Sequence, residues 1–413
     1  MMRTLRVILS GIGGYGAQYL HALAEDGERI GLTLAGVVQP GIERYPQEES
    51  ALRRRNIPVD RTLEMLLAQT GPVDLCVIAS PIQHHYEQCW EALNHGCNVL
   101  CEKPLTSDYA QALVLEELAR AKGLTLAVGF QQCYSDALVR LKQDVVNGRF
   151  GRAVSARGLS LIPRSDQYFK RNRWAGCFFD AEGRSVMDGV LHNSASGDLQ
   201  VLLYLLGSEV DGAATVCTLR GEWCRANKIR SYDTAAVQLA AVECPNVFFA
   251  ASHAWAGATA KRCRIQWEHG FLEGDWARDS RLVVRAEDET VDYGSMDVTL
   301  PDKLRMVADC LREGQPVPCT VHGAKAEVAA ACGLYLSAGR VTELHPSEVQ
   351  MVRGAPGTPD EGCIYSYAPE IIERLENCWQ TGQLPADQGK ALGSAPRTVT
   401  LEDILHGPNH GDA

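Results

Sequence analysis

From Arg6 to Phe130, short apolar runs alternate with longer amphipathic stretches. The runs "RVILS", "LTLAGVV", "VDLCVIAS", "NVLCE" and "LTLAVGF" are too continuously apolar for strands with one wet face, so they read as buried strands. Between them "GAQYLHALAEDG", "TLEMLLAQTG", "HHYEQCWEALNHG" and "SDYAQALVLEELARAKG" carry helical spacing, each closing on a glycine as helices prefer. Strand and helix in alternation predict a parallel sheet covered on both faces.

After a helix at "SDALVRLKQDVVNGRFG" the rhythm changes. The runs "AVSARGLSLI", "GAATVCTLRG", "TAAVQLAAVE", "NVFFAASHA", "CRIQWEHGFLEGD" and "RLVVRAEDETV" follow one another with short turns, interrupted by one clear helix, "SGDLQVLLYLLG". This half reads as a large, mainly antiparallel open sheet. Helices around "DKLRMVADCLREG" and "AKAEVAAACGLYLSAG" are expected to pack back on the body, "RGAPGTPDEG" is a Gly/Pro loop, and the polar ending from Gly389 reads as partly loose. The α/β chain thus divides into an alternating domain over 1–130, an α+β domain over 131–345, and a C-terminal extension over 346–413 that packs back on the body. A length of 413 residues suits two cores better than one.

Net charge changes the list of partners. A balance of -11 gives little for nucleic acid or an anionic membrane surface to hold, since both reward clustered Lys and Arg. No apolar run reaches the about 18 to 20 residues of a membrane span. The opening "MMRTLRVILSGIGGYG" passes from a short apolar run into a glycine loop, so it reads as a strand and not an export signal. Fifteen cysteines scattered without a C-x-x-C pair fit reduced thiols in a cytoplasmic protein. His406 and His410 have no cysteine or carboxylate constellation around them, so no metal site is expected.

"SGIGGYGAQYL" sets Gly11, Gly13 and Gly16 in G-x-G-x-x-G spacing, with Gly14 inside it. The loop leaves a strand and opens a helix, the context that dinucleotide binding requires. The first glycine permits the tight turn, the second lets backbone approach the pyrophosphate, and the third lets helix and strand pack closely. The acidic residue expected at the end of the second strand is absent: Gln39 stands there, able to bond a ribose hydroxyl without repelling a 2′-phosphate. Arg44 lies just beyond and reads either as a phosphate partner or as a surface arginine. NAD and NADP both stay open.

"NVLCEKPLTSD" ends a strand with Glu102, Lys103 and Pro104. Ligands bind beyond the carboxyl ends of strands in open α/β sheets, which is where Lys103 falls. A lysine beside a positively charged nicotinamide can hydrogen-bond a substrate oxygen, with its pKa lowered by that charge.

The glycine loop, "ASPIQHH", "CEKPL", "VGFQQCY", "LVRLKQDVVNGRFG", "YFKRNRWAG" and "LQVLLYLLG" together resemble the Gfo/Idh/MocA oxidoreductases, in order and in approximate spacing over most of the chain. The resemblance implies a Rossmann domain, then a sheet domain whose open face makes a homo-oligomer, dimer or tetramer. It implies hydride transfer between NAD or NADP and a sugar, polyol or sugar derivative. By position, Ser80, Pro81 and His85 line the cofactor, Glu102 and Lys103 reach its nicotinamide end, Lys103 also serves catalysis, and Gln131 sits at a second edge. The resemblance also allows a glycosidase or lyase that recycles its cofactor, and a dinucleotide-binding sensor or partner that has lost the chemistry.

One stretch resists this transfer. In "MDGVLHNSASGDLQ", Asp188 and His192 stand four apart like an acid/base pair. Counting back from Gly207 places the family's pair on Asn193 and Gly197 instead. The apparent pair is five residues early, about 140° around a helix. Either His192 reaches the substrate from the loop before the helix, oriented by Asp188 or Asn193, or it is structural and Lys103 acts without it. Just upstream, Tyr168, Arg171, Arg173 and Trp174 are residue types suited to a carbohydrate, and Tyr168, Arg173 and Trp174 are taken as its binding residues. His253 reads as a satisfied strand histidine.

Overall fold

The computed structural model describes residues 3–407. They form two compact units, the first built from residues 3–106, Gln111–Ser135 and Asp297–Ala324, the second from Ser107–Ala110, Asp136–Met296 and residues 325–407.

In the first unit the five apolar runs become β1 (Leu5–Ser10), β2 (Leu32–Val38), β4 (Leu75–Ile78), β5 (Asn98–Cys101) and β6 (Leu126–Val128), and a short strand that the runs did not include, β3 (Val59–Asp60), joins them in the order β3-β2-β1-β4-β5-β6. All pair in parallel. Every residue of β4 and β6 is buried, which is why their sequences show no alternation. This order reverses direction between β1 and β4, and that switch point opens a crevice at the carboxyl ends of the strands. The unit is discontinuous in sequence, since Asp297–Ala324 returns to it from far along the chain. Its helix Leu300–Glu313, capped by the Thr299 hydroxyl accepting from the Asp302 N–H, packs against helix Tyr15–Glu25. Val128 N–H donates to Cys319 O at 2.9 Å, continuing β6 into the returning segment. The boundaries read from the sequence had left this segment in the domain 131–345; only contacts across the chain reveal where it belongs.

The second unit is built on a sheet of β7 (Ala153–Leu161), β8 (Val216–Arg225), β9 (Thr234–Ala241), β10 (Val247–Ser252), β11 (Ala260–Trp267), β12 (Gly270–Asp275), β13 (Arg281–Ala286), β14 (Thr290–Ser295) and β15 (Thr342–Glu343). Its order is β14-β13-β12-β11-β7-β10-β9-β8-β15, antiparallel except where β7 meets β10 and β8 meets β15. One face carries helix Ser196–Leu206, buried at every residue but Gly197. Asp198 ties that helix to the sheet by accepting from Ser160 Oγ at 2.8 Å and Lys261 Nζ at 3.0 Å. Lys142, fully buried, closes its carboxyl end by donating to Tyr204 O and, at 2.6 Å, to Gly207 O.

On the opposite face the sheet is covered from within the chain around β7 and β10. Helix Pro369–Thr381, which the sequence reading passes over, sets Ile371, Ile372, Leu375, Cys378 and Trp379 on Leu159, Leu161, Phe248 and Ala250. Its signals are present in the sequence: Pro369 in the first turn, apolar positions three and four apart, and Gly382 at φ 74° after the last turn. Arg157 donates to Gln380 O and Arg262 pairs with Glu376 at its margin. The ending is also more regular than expected, since Val399–Thr400 pairs with β8 and Thr400 caps helix Leu401–His406. Residues 408–413, His410 among them, lie outside the described residues. Among those described, no helix is long and apolar enough to cross a membrane.

Candidate functional site

Beyond β1 the glycine loop shows why each glycine is there. Gly11 sits at φ +87°, and a Cβ on it would lie 2.8 Å from Ser80 N. A Cβ on Gly16 would lie 2.2 Å from Gly11 O, the close helix-to-strand approach the motif predicts. The place a Cβ would take on Gly13 is filled by the Tyr45 hydroxyl at 2.6 Å, whereas Gly14, at φ +55°, faces open space. The unobstructed side of the loop is therefore at Gly14 and not, as the spacing alone implied, at Gly13.

Gln39 bonds to backbone. Its Oε1 accepts from Ile12 N–H at 2.9 Å and its Nε2 donates to Pro40 O at 2.8 Å, so it braces the glycine loop, and these two bonds use one of its two donors and one of its two acceptor sites. Arg44 folds back beside it, donating to Pro40 O at 3.1 Å and Gly41 O at 3.3 Å. Ser80 Oγ donates to Gln88 Oε1 at 2.8 Å. His85 is buried, with Nδ1 2.8 Å from Pro104 O and Nε2 2.8 Å from Ser80 O. Burial pushes its pKa down toward the neutral form, which donates through one nitrogen only. His85 thus joins the Ser80–Pro81 turn to the Lys103–Pro104 turn from within, where the resemblance had it lining a cofactor.

The turn after β5 is the most constrained part of the unit. Glu102 Oε1 accepts from Tyr19 Oη and from Lys303 Nζ, both at 2.7 Å, while Oε2 accepts from Lys103 N–H at 3.1 Å. Burial would raise the Glu102 pKa; the Lys303 charge and the donated hydrogen bonds override it and hold the carboxyl below its ordinary range. Lys303 Nζ also lies 5.0 Å from the Tyr19 ring and 5.6 Å from the Tyr15 ring. Gln131, anchored by Nε2 to Val298 O at 2.9 Å, accepts from Tyr15 Oη at 3.4 Å. Burial first, then the Glu102 charge, raise the Tyr15 phenol to about 12. Sequence reasoning missed Tyr15, Tyr19 and Lys303. The available signal was a lysine inside the apolar stripe formed by Leu300, Leu304, Val307 and Ala308.

In the second unit the stretch 188–195 is a run of turns ahead of helix Ser196–Leu206, so the spacing of Asp188 and His192 is not helical. The two do not pair. Asp188 accepts from Gly176 N–H at 2.7 Å, from Arg171 Nη2 at 3.1 Å and from the Asn193 amide. His192 is fully buried, its Nδ1 3.0 Å from Glu327 Oε1. Its Nε2 and Glu327 Oε2 are buried without partners. The carboxylate that orients His192 is Glu327, and the one that orients Asn193 is Asp188.

Tyr168 joins this group through its hydroxyl, 3.1 Å from Ser194 Oγ. The Arg171 guanidinium lies 3.8 Å from the Tyr168 ring and 5.2 Å from the Trp174 ring. Arg173 is exposed, and Arg171 is the arginine that the cluster engages. His253 is buried after β10, its Nδ1 2.8 Å from Ile162 O.

Residues 5–130 match the model of an oxidoreductase family with an NAD-binding Rossmann fold. An uncharacterized oxidoreductase of Schizosaccharomyces pombe is 37% identical over 119 residues, 29% of this chain and 31% of that protein. The inositol 2-dehydrogenase of Streptomyces avermitilis is 35% identical over 155 residues, 37% of this chain and 44% of its own. The matched segment thus spans less than half of either relative. Among solved structures, the WlbA dehydrogenase of Bordetella pertussis, in complex with NADH and UDP-GlcNAcA, aligns with a TM-score of 0.63 at 20% identity, covering 81% of this chain and 96% of that one. That likeness extends the shared fold beyond the first unit.

Proposed function

We propose that this chain, whose residues 5–130 match the model of the Gfo/Idh/MocA oxidoreductase family, is an NAD(P)-dependent oxidoreductase of that type, moving hydride between nicotinamide and a CH–OH carbon of a sugar, polyol or sugar derivative. The carrying observation is the turn after β5: Glu102, fixed by Lys303 and Tyr19, holds the Lys103 N–H at the carboxyl end of a strand next to the switch point.

The glycine loop fits a dinucleotide, closed between Gly11 and Gly16 and open at Gly14. On this reading Gly11, Gly13, Gly14, Gly16 and the helix that follows them hold the pyrophosphate. The segment from Gln39 to Arg44 flanks the adenosine ribose, with no carboxylate at Gln39 to reject a 2′-phosphate. Ser80, Pro81, Glu102 and Lys103 border the nicotinamide end. When bound, the nicotinamide supplies the hydride acceptor or donor. Lys103 polarises the substrate oxygen and exchanges its proton. Asn193, its amide fixed by Asp188, is assigned a substrate-orienting role, which an amide performs by hydrogen bonding without titrating. His192, sealed against Glu327, is structural in this assignment. Self-association as a dimer or tetramer belongs to the same reading, but through a surface other than the face filled by helix Pro369–Thr381.

Incubating the protein with a pool of sugars and polyols, then denaturing it and identifying the dinucleotide and its redox state, tests the reaction. Reduced dinucleotide that appears only with the pool supports it. In Lys103→Met, turnover is expected to fall by about 10² to 10⁴ with dinucleotide binding retained. Unchanged turnover removes Lys103 from catalysis.

A further inference from the structure

Arg164 follows β7 and lies 4.6 Å from the Tyr168 ring, so that Arg164 and Arg171 both rest on one aromatic side chain. Their charges are not matched equally. Arg171 has Asp188, whose remaining capacity goes to Gly176 N–H and Asn193. The nearest carboxylate along the chain from Arg164, Asp166, is taken by Lys170 at 2.5 Å and by the Ile364 N–H at 3.0 Å. Arg164 Nε is buried and has no hydrogen-bond partner. A buried donor without an acceptor is unfavourable, and an anionic group at this place would supply one. The positive field is felt nearby: burial first, then Arg164 and Arg171, lower the His253 pKa to about 3, so that ring stays neutral beside the arginines.

The cluster is also attached to the residues that the proposed reaction uses. Arg171 shares Asp188 with Asn193, and Tyr168 reaches Ser194, the next residue. A planar guanidinium with spare donors matches a carboxylate or phosphoryl group better than it matches single hydroxyls.

We propose that Arg164, Arg171 and Tyr168 form a subsite for an anionic group, and that the substrate is a sugar acid or sugar phosphate and not a neutral polyol. This rests on the oxidoreductase reading for the word substrate, but the anion site stands or falls on binding alone.

The test is calorimetric titration of the NAD-loaded protein with two sets of probes. One set is D-glucuronate, D-galacturonate, D-gluconate and D-glucose 6-phosphate; the other is D-glucose, D-galactose, D-glucitol and myo-inositol, with inorganic phosphate run separately. The expected result is at least tenfold tighter binding of the best anionic probe than of any neutral one. That advantage should be lost in Arg164→Met, largely kept in Arg164→Lys, and unaffected in Arg278→Met, an 84% exposed arginine elsewhere on the unit. Uronates against glucose 6-phosphate and inorganic phosphate separate carboxylate from phosphate recognition. Equal binding of the two sets, or anion binding by Arg164→Met as tight as by the parent chain, overturns the proposal. Arg164-dependent anion binding without any hydride transfer keeps the subsite and removes the oxidoreductase reading. Turnover of a neutral polyol that Arg164→Met leaves unchanged does the reverse.

Discussion

A lysine with its ammonium fully buried needs a partner strong enough to offset desolvation, and for Lys303 that partner is Glu102 at 2.7 Å. Neutralising the carboxylate in Glu102→Gln strands the ammonium, and the expected loss is about 3 to 5 kcal/mol in denaturant unfolding. Lys303→Met should cost less, because Glu102 keeps Tyr19 and the Lys103 N–H as donors. Equal effects would mean that the pair is not what holds the turn. The pH dependence has a definite sign. Glu102 is held below its ordinary 4.5, so its share of stability is present above that value and is lost as pH falls through its folded pKa; Glu102→Gln should flatten that acid limb. His253 acts in a different window. Its pKa of about 3, against 6.5 when unfolded, means that only the unfolded chain takes up the proton between those values, so stability falls by up to about 1.4 kcal/mol per pH unit on acidification below 6.5. His253→Gln should remove most of that slope, and an unchanged slope would place the ring in a wetter setting. Glu102 and Lys103 were legible in the sequence because they are adjacent and end a strand. Lys303 was not, being 201 residues from Glu102. The spacing of Asp188 and His192 misled because it is helical spacing on a segment of turns, and the actual partner of His192 is 135 residues away.

At the scale of elements, strands and helices of the first unit follow the apolar pattern closely, because most positions of β1, β2, β4, β5 and β6 are buried. The helix Ser196–Leu206 was equally legible, its start included, since the run "SGDLQVLLYLLG" begins at Ser196 and ends at Gly207, the residue that follows the last turn. Its far end depends on Lys142, a residue of helix Asp136–Val146, whose ammonium serves the Tyr204 and Gly207 carbonyls. Lys142→Met leaves those acceptors without that donor in a dry setting, with an expected cost of about 1 to 3 kcal/mol. Backbone amide exchange read along the chain checks the location: faster exchange concentrated between Leu202 and Ala214 supports a local cap, while uniform acceleration would assign Lys142 to general packing. Helix Pro369–Thr381 was missed for another reason. It stands alone between a Gly/Pro loop and a polar ending, so no neighbouring rhythm marks it, although its own caps and apolar spacing are clear.

At the scale of the molecule, that missed helix changes what the sheet can do. Both faces around β7 and β10 are filled from the same chain, by Ser196–Leu206 on one side and by Pro369–Thr381 on the other. That part of the sheet already has its cover, and the two-domain rhythm could not reveal this because cover and strands are more than a hundred residues apart. Ending the chain before Pro369 uncovers Leu159, Leu161, Phe248 and Ala250 as one apolar patch, and patches of that kind drive association. The shortened chain is therefore expected to self-associate or precipitate in sedimentation velocity at concentrations where the full chain sediments as a single species. Because a truncation can also unfold the unit, Leu375→Ala gives the milder comparison. It removes one side chain from the centre of the contact, should cost about 2 to 5 kcal/mol, and should promote association in proportion to the helix detached. A full chain whose own oligomer dissociates on Leu375→Ala, with the fold intact by circular dichroism, would show that this helix bridges copies instead of sealing its own sheet.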